Sequence, residues 1–259
     1  MTKKHRNRWI DASIFLLLLL VWSTVPATAA QEPASGAYAT EIVEAMGAFI
    51  ESAEQFSFTF TSVNAEMLEN GLPFTLVTDT RIAVRRPDRF RVDVRSDQVH
   101  NRFLYDGSTL TLHHLMANVY TEMNAPATID TTLTRMEDEF DIFVPLADLI
   151  ASDAGRRILD GVNEITYLGL DEVDGTSCHH IFAQQDDLDF EVWVEDTSVL
   201  LPRKLIFHFK NDEGSPTYTA LISNWDLSPH LPDAVFTQPA PQGARRIELQ
   251  GTSQGDSTR

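Results

Sequence analysis

The residues with the most reactive side chains are Cys178, His179 and His180, which are consecutive in the sequence. A cysteine beside histidines is typical of a thiol nucleophile or a metal site. On a β-strand, however, successive side chains point to opposite faces, so Cys178 and His180 would share one face and His179 would point away. This geometry favours a small buried cysteine over a reactive centre. The same objection applies to His113 and His114.

Other catalytic signatures are absent from the sequence. It contains no Gly-x-Ser-x-Gly, Ser-x-x-Lys, His-Glu-x-x-His or Gly-x-Gly-x-x-Gly motif. The acidic run at 186–189 could offer oxygen ligands to Ca²⁺, but it lacks the glycine and the terminal glutamate of a calcium loop. We therefore predict no catalytic residue, no metal site and no cofactor, and so a non-enzymatic protein. A hydrolase that uses carboxylates with His114 or His180 is the weakest of three functional hypotheses, and the two stronger ones are given at the end of this section.

The charge of the chain is unevenly distributed. The 259 residues carry a formal net charge of −18, yet the first eight include four cations. An apolar run at 14–22 and small residues at 27–30 follow, which is the pattern of a secretory signal peptide cleaved near Ala29 and Ala30. Removing residues 1–30 takes away four cations and one anion and leaves −21. The pattern predicts a periplasmic protein that is not inserted in a membrane after cleavage.

This composition excludes several classes of protein. So acidic a chain does not suit nucleic acid, whose binding requires Lys and Arg to neutralise phosphates. The single cysteine, Cys178, permits no intramolecular disulfide, so the fold depends on its hydrophobic core. No cysteine lies near the cleavage site, from which we expect no lipid anchor.

The elements that would position any site begin with one helix. Apolar residues at Ile42, Met46, Phe49, Ile50 and Ala53 repeat with helical spacing and predict a helix over 37–54. From residue 55 the period changes to two, which indicates strands. Asn-Gly and Asp-Gly pairs between the strands predict hairpins. The predicted strands are 56–66, 73–85, 89–95, 101–106, 109–116, 118–123, 163–171, 176–184, 188–195, 201–210 and 216–224.

A helical insertion over 128–153 separates the two groups of strands. Ile129, Leu133, Met136 and Phe140 form an apolar stripe, with Thr128 or Asp130 as N-cap, and residues 145–150 predict a second short helix. We predict a mainly β (α+β) fold: a strongly curved antiparallel half-barrel of about 11 strands whose concave face is plugged by the N-terminal helix and the insertion. The predicted domains are a signal peptide at 1–30, one half-barrel domain at 31–249 and a disordered tail at 250–259.

Two resemblances support this architecture. Residues 86–92 (Arg-Pro-Asp-Arg-Phe-Arg-Val) and 104–112 (Leu-Tyr-Asp-Gly-Ser-Thr-Leu-Thr-Leu) resemble a pattern of the LolA/LolB-like lipoprotein carriers. Residues 40–250 resemble a bacterial family of predicted periplasmic proteins, through segments at 145–149, 175–180, 189–195, 201–205, 224–227 and 236–244. The carrier resemblance implies a half-barrel whose hollow holds acyl chains.

Bulky apolar residues alternate on one face of several strands. They either pack against the helices as a core or line a cavity for an acyl chain, and the sequence leaves both alternatives open. The predicted cavity residues are Phe56, Phe58, Phe60, Phe90, Val92, Phe190, Val192, Leu205, Phe207, Phe209, Ile129 and Leu133. Arg86 and Arg203 are predicted at the rim, either as ordinary strand-end cations or as partners of a lipid head group or a protein carboxylate.

The leading functional hypothesis is a periplasmic protein that binds or transports a lipid or a lipoprotein acyl chain without catalysis. The alternative is a module of the same fold that binds an envelope protein or senses envelope stress. The sequence distinguishes neither the ligand nor the protein partner.

Overall fold

The computed structural model describes residues 35–67, 72–211, 216–240 and 242–249, which belong to one compact unit. The predicted signal peptide and C-terminal tail lie outside these residues. Helix α1 spans Ser35–Glu51, so it begins two residues before the helix predicted at 37–54 and ends three residues earlier, and it buries the predicted face that includes Ile42, Met46 and Ile50. It ends where strand periodicity begins.

Twelve strands follow, and eleven of them match the predicted ones closely. Their bounds are β1 Gln55–Met67, β2 Pro73–Arg85, β3 Arg89–Arg95, β4 His100–Tyr105, β5 Thr109–His114, β6 Val119–Asn124, β7 Glu164–Val173, β8 Thr176–Gln184, β9 Leu188–Glu195, β10 Pro202–Phe209, β11 Thr217–Asp226 and β12 Arg245–Arg246. The twelfth, unpredicted strand has only two residues, which is too short for an alternating pattern.

The strands form a single curved and open sheet in the order β12-β6-β5-β4-β3-β2-β1-β11-β10-β9-β8-β7. All neighbours are antiparallel except β12 and β6. The first strand therefore lies at the centre, between β2 and β11. This confirms the predicted mainly β, antiparallel half-barrel.

The register aligns the predicted apolar positions across the sheet. One continuous row on the concave face runs over five strands, and all of its members are buried; it consists of Phe56, Val84, Phe90, Tyr105 and Leu110. Because side chains alternate along each strand, the residues that directly precede or follow these positions on each strand point to the convex face. The concave face thus holds the hydrophobic core.

The helical insertion comprises α2 Ile129–Phe140, α3 Ala147–Ile150 and α4 Ala154–Leu159. Thr128 caps α2, since its side chain accepts a hydrogen bond from the Thr131 N–H. Helix α4 lies beyond the predicted insertion of 128–153 and packs against α1, where Gly47 meets Gly155. Leu146, just before α3, has a φ of 56°, a conformation that a leucine rarely adopts.

Residues 229–238, here called the outer strap, cross the convex face and contain a 3-10 turn at Asp233–Val235. Arg85 holds the strap: its guanidinium donates to the Leu231 carbonyl at 2.8 Å and to the Asp233 carboxylate. The same guanidinium lies 5.2 Å from the centre of the Phe236 ring, and Phe236 is buried.

Candidate functional site

An apolar hollow lies between the helical insertion and strands β9–β11. Its main part has a volume of about 280 Å³, and an adjoining recess adds about 90 Å³. Leu133, Val144 and Leu146 contribute the helical side, and aromatic and aliphatic residues contribute the sheet side, namely Leu188, Phe190, Leu205, Phe207 and Phe209. This volume is at the lower end of the range of small-molecule sites, about 300–1,000 Å³.

The hollow is open to solvent at one end. Phe143, in the loop between α2 and α3, lines it while remaining 71% exposed. Phe209 at the end of β10 is 37% exposed. Two aromatic rings thus stand at the mouth, where an apolar ligand would cover them.

The twelve predicted cavity residues fall into two groups. Five of them line the hollow: Leu133, Phe190, Leu205, Phe207 and Phe209. The other seven pack in the hydrophobic core and do not line it: Phe56, Phe58, Phe60, Phe90, Val92, Val192 and Ile129. The concave face is therefore packed over β1–β3 and hollow near β9–β11.

Three charged residues lie among the apolar ones: Glu137, Asp148 and Arg157. Asp148 lies in a concave part of the surface, where the surrounding protein atoms partly desolvate its carboxyl group although the side chain reaches solvent. This desolvation raises the pKa of Asp148, and the nearby charge of Arg157 opposes the increase only in part. Arg157 is already engaged, since its Nε donates to Asp153 Oδ1 at 2.7 Å. The polar side of the hollow therefore has excess negative charge.

Tyr218 of β11 completes the lining. Burial raises the pKa of its hydroxyl. The hydroxyl lies near Ser62 but makes no hydrogen bond of ordinary geometry within the described residues. A buried hydroxyl without a partner is energetically unfavourable, by about 1–3 kcal/mol. A ligand with a polar group at this depth would remove that penalty.

A family model for predicted periplasmic proteins, DUF2092, matches residues 39–250. The chain belongs to this family. The periplasmic location expected from the sequence is thereby confirmed, as is the resemblance to a family of predicted periplasmic proteins. No helix of the described part of this DUF2092 protein is both long and apolar enough to span a bilayer. No curated protein matches the chain significantly.

Several solved structures are similar to this DUF2092 protein. An uncharacterised conserved protein from Thermus thermophilus has 10% identity and a TM-score of 0.48, covering 81% of this chain and 98% of that one. LprF from Mycobacterium bovis has 15% identity and a TM-score of 0.46, covering 80% and 100%. The LolA superfamily protein NE2245 from Nitrosomonas europaea has 12% identity and a TM-score of 0.35, covering 77% and 97%.

The two predicted rim arginines lie away from the hollow of the DUF2092 protein. Arg86 donates to the carbonyls of Ile150 and Ala151, at 2.9 and 2.7 Å, and so satisfies the end of α3. Its burial lowers the pKa of the guanidinium. Arg203 Nη1 lies 3.4 Å from Glu195 Oε1. Both arginines therefore interact with residues of the chain itself, and neither lines the hollow.

The reactive residues singled out in the sequence also lie elsewhere. Cys178 is fully buried, and burial raises the pKa of its thiol to about 11. His180 Nε2 lies 2.7 Å from a carboxylate oxygen of Glu191, and His208 Nε2 lies 2.9 Å from the other oxygen, on the convex face of β8–β10. Within the described ranges, no group of three or more His, Cys, Asp or Glu residues could hold a metal ion.

Most residues of the hollow are not predictable from the sequence: five of its 19 lining residues are among the predicted cavity residues. Glu137, Phe143, Asp148, Arg157 and Tyr218 line it but were not predicted as site residues. Besides the five predicted cavity residues, the segment 145–149, which resembles a family motif and predicts a short helix, points to this region. Arg157 lies on α4, which no pattern predicted.

Proposed function

We propose that this DUF2092 protein binds a hydrophobic or amphipathic ligand without catalysis, with a lipid or a lipoprotein acyl chain as the ligand class. The observation that carries the proposal is the hollow of about 280 Å³ between the insertion and β9–β11, lined by Leu146, Leu188 and Phe207. Burial of apolar ligand surface in such a site is favourable by about 25 cal/mol per Å².

The charged residues of the hollow support a further choice of ligand. Two carboxylates, Glu137 and Asp148, face one guanidinium that is already bonded to Asp153. Negative charge at the mouth disfavours a ligand whose head group is itself an anion. We therefore propose a ligand whose polar end is neutral or donates hydrogen bonds, and which has a single chain, given the small volume.

The test is direct analysis of the bound ligand. The protein is purified from the periplasm of its host under non-denaturing conditions, and native mass spectrometry is followed by lipid extraction. We expect a stoichiometric adduct that releases an acyl-chain compound. The delipidated protein should then bind a fluorescent monoacylglycerol more tightly than the fatty acid of equal length. Protein without an adduct, which also fails to bind either probe, would contradict the proposal.

A second function, docking of an envelope protein, is supported by the edge of the sheet beyond Tyr167, whose N–H and carbonyl are already bonded to the Ser35 hydroxyl. Strand β7 is the last in the sheet order, and its Leu168 and Leu170 are 53% and 60% exposed. Edge strands of this kind add a further strand from a partner. Photocrosslinking from position 170 in the periplasm should then capture one protein in stoichiometric amount. A ladder of weak products would count against this function.

A further inference from the structure

A second concavity lies on the convex side of the sheet, so the sheet separates it from the hollow. It has a volume of about 860 Å³ over β1–β4, and the outer strap borders it through Leu231 and Val235. We call it the outer groove. Unlike the hollow, it is lined by many charged residues, among which four arginines dominate.

The arginines surround a single carboxylate. Arg81 on β2 and Arg102 on β4 lie directly opposite Asp93 in the strand register. Arg91 and Arg95 precede and follow Asp93 by two positions on β3, and so lie on the same face. Together these residues form a cross of four arginine positions in the sheet, with Asp93 at its centre.

Two arms of the cross are already engaged. Arg91 Nε and Arg102 Nε each lie 2.5 Å from a carboxylate oxygen of Asp93. Burial alone would raise the pKa of Asp93, but these two hydrogen bonds lower it. The same arginines also donate to the outer strap, Arg91 to the Val235 carbonyl and Arg102 to the Gln238 side chain.

The other two arms, Arg81 and Arg95, are exposed and form no ion pair within 4 Å in the part of the chain that the structure describes. They occupy diagonal positions on β2 and β3, where Cα atoms lie about 7–8 Å apart. Asp79, opposite Arg95, accepts a hydrogen bond from the Thr61 hydroxyl at 2.7 Å. Both free guanidinium groups are therefore available to an external anion.

The charge of the groove favours an anion with two negative charges. Four arginines and two aspartates give the outer groove a formal charge of +2, in a chain whose total is −18. A phosphate monoester carries about −1.5 to −2 at pH 7 and matches two guanidinium groups with paired hydrogen bonds. A carboxylate supplies only half of this charge. The remaining volume of the groove leaves room for the organic part of such an ester.

We propose that the outer groove binds a phosphate ester between Arg81 and Arg95. The phosphate monoester is shared by the head group of phosphatidic acid and by a free phosphorylated metabolite. This site is independent of the hollow, because the two lie on opposite faces of the sheet. Its existence does not depend on the proposed acyl-chain binding.

The test uses the exported full-length protein and two sets of probes. Glycerol 1-phosphate is titrated by calorimetry with glycerol as the uncharged control, and binding to vesicles of phosphatidic acid in phosphatidylcholine is compared with phosphatidylcholine alone. Binding of glycerol 1-phosphate but not of vesicles identifies a soluble ester, and binding of anionic vesicles identifies a lipid head group. The absence of binding to both phosphate probes would overturn the proposal.

The double variant Arg81→Gln/Arg95→Gln should weaken phosphate binding by about tenfold or more. The matched control is Arg156→Gln/Arg246→Gln, which removes the same charge from two exposed arginines outside the groove and should leave binding unchanged. If both double variants weaken phosphate binding equally, the binding depends on the overall charge of the protein and not on the groove, and the proposal is overturned.

Asp79→Asn should change the affinity for phosphate in the opposite direction, an effect that loss of folding would not produce. Removing this carboxylate from the groove should tighten phosphate binding about twofold to fivefold. The urea midpoint of each variant is measured alongside, to show that the protein is folded. Unchanged affinity in a folded Asp79→Asn protein would argue against binding in the groove.

Discussion

Gly47 of α1 and Gly155 of α4 are in backbone contact: a Cβ atom added to Gly47 would lie 2.3 Å from the Gly155 Cα. No side chain on Gly47 fits in that gap. The contact joins the N-terminal helix to the helical insertion, whose other end lines the hollow. It therefore fixes the position of α4 and, with it, of Arg157.

Gly47→Ala should destabilise the protein, because the methyl group forces the two helices apart. We expect a loss of about 1–3 kcal/mol in the free energy of unfolding, as for other overpacked cores. Gly155→Ala is the matched control, since its Cβ would lie 3.4 Å from the Gly47 Cα, close to ordinary contact. Urea titration of both variants measures the difference. A Gly47→Ala protein as stable as the wild type would contradict the close approach.

Leu188→Trp should fill part of the hollow from the sheet side, because Leu188 lines both the main part and the recess. Binding of a fluorescent monoacylglycerol should fall by about tenfold or more, while the urea midpoint stays near that of the wild type. Val199→Trp, on an exposed residue outside the hollow, is the control for adding an indole. If both variants bind like the wild type, the ligand site lies elsewhere.

Asp148→Asn should stabilise the protein at neutral pH. The pKa of Asp148 is raised in the folded state, so folding favours its protonated form, and the ionised form is destabilising as pH rises above the ordinary value of about 3.9. The gain should stay below about 1 kcal/mol, because the side chain reaches water.

The same measurement from pH 8 to pH 4 checks the sign of this effect. The stability difference between Asp148→Asn and the wild type should shrink as the pH falls, because Asp148 then becomes protonated in both states. Asp138→Asn removes an exposed charge from the same insertion and serves as the comparison. An Asp148→Asn protein that is less stable than the wild type at neutral pH, by an amount that vanishes towards pH 4, would show that the pKa of Asp148 is lowered instead.

Cys178 should resist alkylation in the folded protein. A thiol pKa of about 11 leaves roughly one thiolate in ten thousand molecules at pH 7, and the side chain is fully buried. Mass spectrometry after iodoacetamide treatment should show labelling at least about a hundredfold slower in buffer than in concentrated urea. Rapid labelling of the native protein would place the cysteine at the surface.

Phe236→Ala should release the outer strap from the convex face. Truncating a buried phenylalanine costs about 3–5 kcal/mol, and here the loss falls on a segment whose other contacts include polar ones to Arg85, Arg91 and Arg102. Limited proteolysis should then cut within residues 229–240 much faster than in the wild type. Val199→Ala, at an exposed position, is the control. Unchanged cleavage would mean that the polar contacts of the strap suffice.

Sequence patterns were enough to predict the sheet. Eleven strands and helix α1 follow from periodicity and from turn residues, which are local properties, and Thr128 is one of the two predicted caps of α2. The position of the hollow was not predictable in this way. It depends on how the loop around Leu146 folds back over β9 and β10, and a positive φ at a leucine has no signature in the sequence.

The arginines on the convex face illustrate the same limit. Alternation places Arg81, Arg91 and Arg102 on one face, yet only the register shows that they converge on Asp93. Likewise, Arg86 was predicted at a rim because it ends a strand. Its structural partners, the carbonyls at the end of α3, are more than 60 residues away in sequence.

The central position of β1 has a consequence for how the chain folds. Its partner β11 is separated from it by about 160 residues, since Ser62 pairs with Ala220. A chain that emerges N-terminus first therefore leaves one edge of β1 unpaired until β11 has followed it, on a strand whose concave face carries Phe56, Phe58 and Phe60. Such long-range pairing makes folding slow and the intermediate prone to aggregation. The last hairpin, β10–β11, thus completes the middle of the sheet, and a chaperone that protects β1 would have to remain bound until then.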